Sequence, residues 1–206
     1  MRLLGPPLLS CILAAATGVG AAETGFPAYL RARETRLTPN ESEYWRHGEL
    51  FEWRRVADRH EAAPPRWDDW LGRSALAGPE RQLVEVQRLF SPARFPYVHQ
   101  NDGADRWKTP REFISEGSGD CKGYAVTVYF ALRRLGWPAQ SLRLVLVASR
   151  SDGPADHAVI AARLDGRVFV LDQQAPALFE ESEFGDYRPV LALNEEGMWT
   201  FEAMER

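Results

Sequence analysis

The dipeptide Asp165-Gly166 lies between two apolar runs, His157–Leu164 and Arg167–Leu171. Asp-Gly is a preferred sequence for two-residue β-hairpin loops, because type I′ turns need a positive φ at both loop residues. A loop of these two residues fixes the register of the flanking strands and places Leu164 opposite Arg167. The sequence therefore predicts an antiparallel strand pair whose partners can be named residue by residue.

The same register relates a histidine to an aspartate. Val159 falls opposite Asp172, and His157 falls opposite Gln174. Paired residues share a sheet face and successive side chains alternate between faces, so His157 and Asp172 point to the same side as diagonal neighbours. Their side chains are then within reach of a hydrogen bond. A three-residue loop would reverse this parity, so the prediction depends on the turn type.

A cysteine opens the best-defined helix of the sequence. Apolar residues recur at three- and four-residue spacing from Cys121 to Leu135, and Gly136 with Pro138 marks the end of the pattern. The helix follows a glycine-containing loop at residues 117–120. Unpaired backbone N–H groups and the positive end of the helix dipole favour a thiolate in the first turn. This position suits a nucleophile.

Four other segments are predicted from capping, turn and apolar residues. They are a helix from polar residues 40–43 to about residue 62, a helix over residues 79–90, a loop over residues 91–110 suited to one wall of a cleft, and a strand over residues 142–148.

Charge and composition restrict the partners. The chain of 206 residues carries 29 acidic and 25 basic side chains, a formal net charge of −4 at pH 7. That balance supplies no basic field for nucleic acid or anionic lipid, so neither is expected to bind. A hydrophobic content of 45% is enough for one core. We expect one catalytic domain over residues 67–206, with residues 23–66 as its N-terminal helical extension.

The first 22 residues are predicted to be a signal peptide. Arg2 gives a positive start, residues 8–19 are mostly apolar, and small residues place cleavage near Ala21-Ala22. We therefore expect a periplasmic or secreted protein. Later segments fall short of the roughly 20 apolar residues that span a bilayer, so no membrane span is expected. Cys11 belongs to the leader on this interpretation, and Cys121 is then the one thiol of the mature chain.

A lone cysteine with a histidine and an aspartate farther along the chain is typical of thiol catalysis. The histidine takes the thiol proton and the carboxylate orients the imidazole. The alternatives are an inert buried Cys121, a surface His157 and an Asp172 that only begins a turn. Glycines around the cysteine and the shared sheet face of the other two residues favour catalysis. No ligand spacing or second thiol indicates a zinc site.

Several short motifs resemble those of one family. They are Thr109-Pro110-Arg111-Glu112-Phe113, Gly117-Ser118-Gly119-Asp120-Cys121, Tyr124-Ala125, Tyr129-Phe130-Ala131-Leu132, Leu135-Gly136, Leu142-Arg143-Leu144, Asp156-His157-Ala158-Val159 and Val170-Leu171-Asp172. Over roughly residues 67–174 they resemble the bacterial transglutaminase-like cysteine proteinases. The resemblance implies an α+β fold with a papain/transglutaminase-like core, whose nucleophile helix packs on an antiparallel β-sheet. It also implies a catalytic triad of Cys121, His157 and Asp172, and a protein or peptide as substrate. The family's best-known role is to cut a surface adhesin and release cells from biofilm.

One position departs from the family pattern. Adhesin-cleaving members usually continue Gly-Asp-Cys with Glu-Asp, and acidic residues there help to hold calcium, whereas this chain has Lys122-Gly123. A lysine beside the nucleophile removes oxygen ligands and repels Ca²⁺. We therefore expect no cofactor and no metal site. Calcium would need Asp120 together with other ligands such as Asp102 or Asp105. Lys122 is expected to be a solvated charge on the helix surface.

The remaining expectations concern the cleft and the reaction. Gln100 is a candidate amide donor to an oxyanion, and Trp107 either lines the cleft or, as favoured, packs in the core. In amide hydrolysis Cys121 adds to the carbonyl and its backbone N–H helps to hold the oxyanion, while the His157 imidazolium protonates the leaving amine. The same triad supports transamidation or deamidation, and the alternative outside enzymes is a non-catalytic binding module of the same fold. Substrate identity and oligomeric state stay open.

Overall fold

The computed structural model describes residues 32–38, 48–59, 67–99, 106–149, 153–183 and 187–203. In chain order the helices and strands are β1 (Ala32–Arg36), α1 (Glu49–Arg59), α2 (Trp67–Leu71), α3 (Pro79–Leu89), α4 (Pro110–Glu116), α5 (Cys121–Arg134), β2 (Leu142–Ala148), β3 (His157–Leu164), β4 (Arg167–Leu171), β5 (Phe179–Glu180), β6 (Arg188–Asn194) and β7 (Gly197–Ala203). The fold is the predicted α+β class, with helices on a fully antiparallel sheet.

The sheet is built around the predicted hairpin. Its seven strands follow the order β1-β7-β6-β2-β3-β4-β5. In the β3–β4 pair Leu164 lies opposite Arg167 and Ile160 opposite Leu171, which confirms the register derived from a two-residue loop. Asp165 and Gly166 have φ values of 51° and 78°, as a type I′ turn requires.

The N-terminal extension contains a strand as well as a helix. Helix α1 is confirmed over Glu49–Arg59, while its predicted cap at residues 40–43 and the predicted leader at residues 1–22 lie outside the described residues. The extension was predicted to be helical, but β1 pairs with β7 and forms one edge of the sheet. Its sequence, ARETR, has no apolar alternation, so β1 depends on pairing with a strand from the other end of the chain.

Helix α5 is the centre of the main core. It packs against β2 and β3, and its residues from Gly123 to Leu132 are all buried. The Trp53 ring of α1 stacks on Phe130 at 5.7 Å and meets Tyr129 edge-on at 5.0 Å, which attaches the extension to the same core. Each such large apolar side chain contributes about 1.5–3 kcal/mol when it is fully buried.

The opposite face of the sheet carries a second buried cluster. Its members alternate along the strands with those of the main core, as the pleat requires. They are Val145, Val147, Val159, Ala161, Val168, Val170, Ala192, Trp199 and Phe201, with Phe179 and Tyr187 packed against them. His157 opens β3 and Asp172 directly follows β4, so both lie at one end of this strand pair. None of the helices in the described residues is long and apolar enough to cross a membrane.

Candidate active site

The nucleophile candidate lies in the first turn of α5. Asp120 caps this helix in an extended conformation, and its Oδ1 accepts the N–H of Gly123 at 2.9 Å. This cap fixes the start of the helix at Cys121, so the sequence prediction of a helix-opening cysteine is confirmed. Cys121 is only 7% exposed and is a free thiol. Its position in the first turn places the thiol at the positive end of the helix dipole.

The loop before the cysteine has glycines for two separate reasons. Gly117 ends α4 with a φ of 71° in the left-handed region, which favours glycine. Gly119 lies against the Phe113 ring, where an added Cβ would come within 2.7 Å of Cδ2. A side chain at Gly119 would therefore displace either the ring or the segment that leads to the nucleophile.

The histidine and the aspartate form a buried hydrogen bond. His157 is the first residue of β3, Asp172 directly follows β4, and their Nε2 and Oδ1 atoms are 2.9 Å apart. The side chains are 5% and 3% exposed, so the contact is shielded from water. The same Oδ1 accepts the N–H of Gln174 at 2.8 Å, which holds the carboxylate in place. The diagonal pairing predicted from the hairpin therefore brings the two side chains into contact.

The thiol completes the arrangement. Nε2 of His157 is engaged by Asp172, and Cys121 is close enough to raise the pKa of the same imidazole. Burial by itself lowers the pKa of His157, but the hydrogen bonds and negative charges of Asp172 and Cys121 outweigh it and raise the pKa to about 9. The imidazole is then protonated at neutral pH.

Tyr187 lies against the imidazole and Asp156 directly precedes His157 in the chain; the sequence interpretation named neither of them as site residues. The Tyr187 ring lies 5.4 Å from the His157 ring at an interplanar angle of 31° and covers it from one side. Asp156 accepts the backbone N–H of Ser149 at 2.8 Å, and its own N–H donates to Val147. No local sequence pattern could have identified Tyr187, since it reaches the site from the start of β6.

The weaker site predictions have different outcomes. Trp107 is fully buried in the main core, the placement favoured from sequence, so it does not line an open cleft. Gln100 lies outside the described residues, and so do Asp102 and Asp105. The predicted roles of these three residues therefore stay predictions.

The described residues do not form a calcium site. Both oxygens of the Asp120 carboxylate are engaged, Oδ1 by the Gly123 N–H and Oδ2 by Lys122, whose Nζ lies 3.5 Å away. Within the described ranges no three His, Cys, Asp or Glu side chains are grouped so that they could hold a metal ion. A single carboxylate beside an ammonium group is a poor donor set for Ca²⁺.

The chain is similar to a known protein family in sequence and to solved proteins in structure. A sequence model described as "Bacterial transglutaminase-like cysteine proteinase" (Peptidase_C93) matches residues 81–200, more than half of the chain. No curated protein has a significant sequence match to the chain. The calcium-bound structure of Legionella pneumophila LapG is 26% identical, with a TM-score of 0.58, over 71% of this chain and 86% of LapG. The EGTA-treated structure of LapG is 25% identical, with a TM-score of 0.60, over 74% and 87% of the two chains.

Proposed function

Since the chain belongs to the bacterial transglutaminase-like cysteine proteinases and is therefore a cysteine peptidase, we propose that Cys121, His157 and Asp172 are its catalytic triad. The observation that carries the proposal is the buried 2.9 Å hydrogen bond between His157 and Asp172, with Cys121 near enough to raise the pKa of the same imidazole. A surface histidine or a structural cysteine needs no such shielded chain of three groups. The contact therefore supports catalysis over a binding module.

The chemistry follows from the protonation states. The Cys121 thiolate attacks the substrate carbonyl, and the backbone N–H of Cys121 at the helix start donates to the developing oxyanion. The His157 imidazolium gives its proton to the leaving amine, and the C–N bond breaks to leave a thioester. Neutral His157 then takes a proton from water, the resulting hydroxide attacks the thioester, and the thiolate and imidazolium are restored. Asp172 holds the ring and stabilises its charge throughout.

The proposed setting is the periplasm or the cell exterior, with a cell-surface protein such as an adhesin as substrate. The similarity to LapG and the predicted leader at residues 1–22 support this setting. A transamidase or deamidase with the same triad is the second candidate, because an amine can replace water in the thioester step. The two are separated by adding a primary amine to a cleavage assay and measuring whether the acyl group is transferred.

Alkylation of the thiol tests the proposal directly. We expect iodoacetamide to modify Cys121 at pH 6 at least about tenfold faster than it modifies free cysteine, because a helix N-terminus and a neighbouring histidine are the environment that activates a cysteine nucleophile. Peptide mapping by mass spectrometry identifies the labelled residue, and the rate is followed from pH 5 to 8. In His157→Ala the fast reaction should be lost. A wild-type rate equal to that of free cysteine across this range would favour the binding module.

Calcium removal is expected to change neither the activity nor the melting temperature of this protein. Because Lys122 and Gly123 already engage the Asp120 carboxylate, treatment with EGTA should leave the peptidase rate within about twofold and the melting temperature within about one degree. The measurement is a paired assay and thermal melt with added Ca²⁺ or EGTA. A loss of activity on chelation that is restored by Ca²⁺ would contradict this prediction and place the ligands among residues such as Asp102 or Asp105.

A further inference from the structure

The turn that carries Asp172 is attached to a helix that holds none of the proposed triad. Within the turn, Asp172 Oδ1 accepts the N–H of Gln174 at 2.8 Å, and the carbonyl of Asp172 accepts the N–H of Ala175 at 3.1 Å. From α3, the side chain of Gln87 donates through Nε2 to the carbonyl of Ala175 at 3.4 Å. The far end of the 172–175 turn is therefore held by a side chain of α3.

Gln87 and Asp172 also line the same small cavity. Gln87 is 8% exposed, and the cavity has about 10 Å³ for the centre of a water molecule, so it is far too small to admit a peptide. Gln87 thus approaches the aspartate from the core and does not touch the substrate. The other residues that line the cavity are Phe90, Tyr124, Ala125, Val128, Ala158, Leu171 and Gln173.

The amide of Gln87 makes one hydrogen bond to the described part of the chain. Its Oε1 is buried, and no donor among the described residues reaches it, so the bond from Nε2 to Ala175 is the contact through which the amide acts. A methionine of the same length would fill this space without burying an unpaired oxygen. Packing by itself therefore does not require a glutamine at this position.

The Oδ1 atom of Asp172 is shared between the turn and the imidazole. It accepts the N–H of Gln174, and it lies 2.9 Å from Nε2 of His157. A displacement of the turn therefore moves the atom that contacts the imidazole, and hydrogen bonds weaken steeply as their geometry departs from the optimum. The attachment of the turn to α3 helps to keep the carboxylate on the histidine.

Several titratable groups of the described residues face or adjoin the imidazole, and Gln87 contacts the turn of one of them. A change at Gln87 therefore reaches His157 through Asp172, while the other groups keep their places. The groups are Cys121 at the start of α5, Asp172 after β4, Tyr187 just before β6, and Asp156, which precedes His157 in the chain.

We propose that Gln87 is a positioning residue of the active site, whose hydrogen bond to Ala175 holds the 172–175 turn so that the Asp172 carboxylate stays on His157. The inference rests on the proposed function and adds a residue from α3 to it. Without this bond the carboxylate moves away from the ring, and the imidazolium loses its proton at lower pH. The step in which the imidazolium protonates the leaving amine then slows, whereas substrate binding is unchanged.

The test is the variant Gln87→Met, which removes the amide and keeps the length of the side chain. We expect kcat on a peptide substrate to fall about tenfold, the order of one lost hydrogen bond, with KM within about twofold of wild type. The alkaline limb of the activity, expected near pH 9 in the wild type, should move down by about one pH unit. Gln87→Asn keeps an amide that is too short to reach Ala175, and it should give the same result.

Gln82 provides the matched control. It is a second glutamine of α3, also 8% exposed, and its Oε1 accepts the indole N–H of Trp137 at 2.8 Å while its Nε2 donates to the carbonyl of Ala77 at 3.2 Å. Gln82→Met leaves the buried N–H of Trp137 unpaired, so it should lower the melting temperature at least as much as Gln87→Met does. It should nevertheless keep the wild-type kcat and alkaline limb, because its partners lie outside the site.

A double variant tests whether Gln87 acts through the carboxylate. In an Asp172→Asn background, adding Gln87→Met should lower kcat by no more than about twofold, because the charge that Gln87 holds in place is already absent. A further tenfold loss in this background would show that Gln87 acts on another group, and it would overturn the inference.

Failure of this inference is distinguishable from failure of the proposed function. Wild-type kcat and an unchanged alkaline limb in both Gln87→Met and Gln87→Asn would overturn the positioning role and leave the triad intact. A shift of the alkaline limb in Gln82→Met as large as in Gln87→Met would also overturn it, because the effect would then follow lost stability. Alkylation of wild-type Cys121 no faster than that of free cysteine would overturn the triad and this inference together.

Discussion

Replacing Cys121 by alanine is expected to abolish peptide cleavage while the protein stays folded. In the proposed mechanism only the sulfur performs the bond-forming step, so the rate should fall by at least about 10⁴-fold, the order seen when a catalytic nucleophile is removed. Alanine fits a buried position in the first turn of α5, and the Asp120 cap that starts the helix does not use the thiol. The measurement is kcat/KM on a protein or peptide substrate, with a thermal melt on the same sample.

A serine at the same position is the matched control for size and polarity. Cys121→Ser keeps a donor beside His157 but holds its proton at neutral pH, so it should be nearly as inactive as the alanine variant. Both variants should melt within a few degrees of wild type. Peptidase activity near the wild-type level in Cys121→Ala would show that the nucleophile lies elsewhere.

The elements that local sequence chemistry controls were predicted well. The Asp165-Gly166 turn encodes its own conformation through two positive φ values, and the register of β3 and β4 follows from it by counting. Helix α5 is similar, because Asp120 caps it and Gly136 follows its end, so both limits can be found within its own segment. These signals need no information from distant parts of the chain.

Elements that depend on distant partners were missed. Strand β1 is charged and pairs only with β7, and neither β6 nor β7 was predicted, although both are needed to complete the sheet. Tyr187 covers the His157 imidazole only because β6 joins the sheet beside β2. The sequence therefore predicts the pairing of His157 with Asp172, whereas the residues packed around that pair, such as Tyr187, depend on the tertiary fold.

Cys121 combines a location that local sequence predicts with a tertiary contact that local sequence does not predict. Its helix-start location could be predicted from the residues, but nothing local to α5 shows that the N-terminus of this helix meets the first residue of β3. That relation came from the resemblance to a family. The proximity of the thiol to His157, which raises the pKa of that imidazole, joins the locally predicted helix to the locally predicted hairpin.

The raised pKa of His157 also links folding to pH. The imidazole has an ordinary pKa of 6.5, and in the folded protein hydrogen bonds and charges from Asp172 and Cys121 overcome burial and raise it to about 9. The folded state thus binds the proton more tightly than the unfolded chain. The resulting stabilisation is complete below about pH 6.5 and is lost as the pH rises through about 9.

Removal of His157 should be nearly as damaging as removal of the cysteine, and the loss in Asp172→Asn should be smaller. His157→Ala takes away the proton donor and the partner of the thiolate, so kcat/KM should fall by about 10⁴-fold. Asp172→Asn leaves the ring in place but removes the carboxylate charge, and a loss of about 10²- to 10³-fold is expected. The decisive readout is the pH profile of the residual activity.

In the wild type the activity should decline on the alkaline side near pH 9, where the His157 imidazolium loses its proton. In Asp172→Asn that decline should move to lower pH, because burial then lowers the pKa of His157 with less opposition from its neighbours. Since Tyr187 and Cys121 are unchanged in this variant, a shift of the alkaline limb reports the carboxylate alone. An Asp172→Asn enzyme that is slower but keeps its alkaline limb near pH 9 would mean that Asp172 positions the ring without controlling its charge.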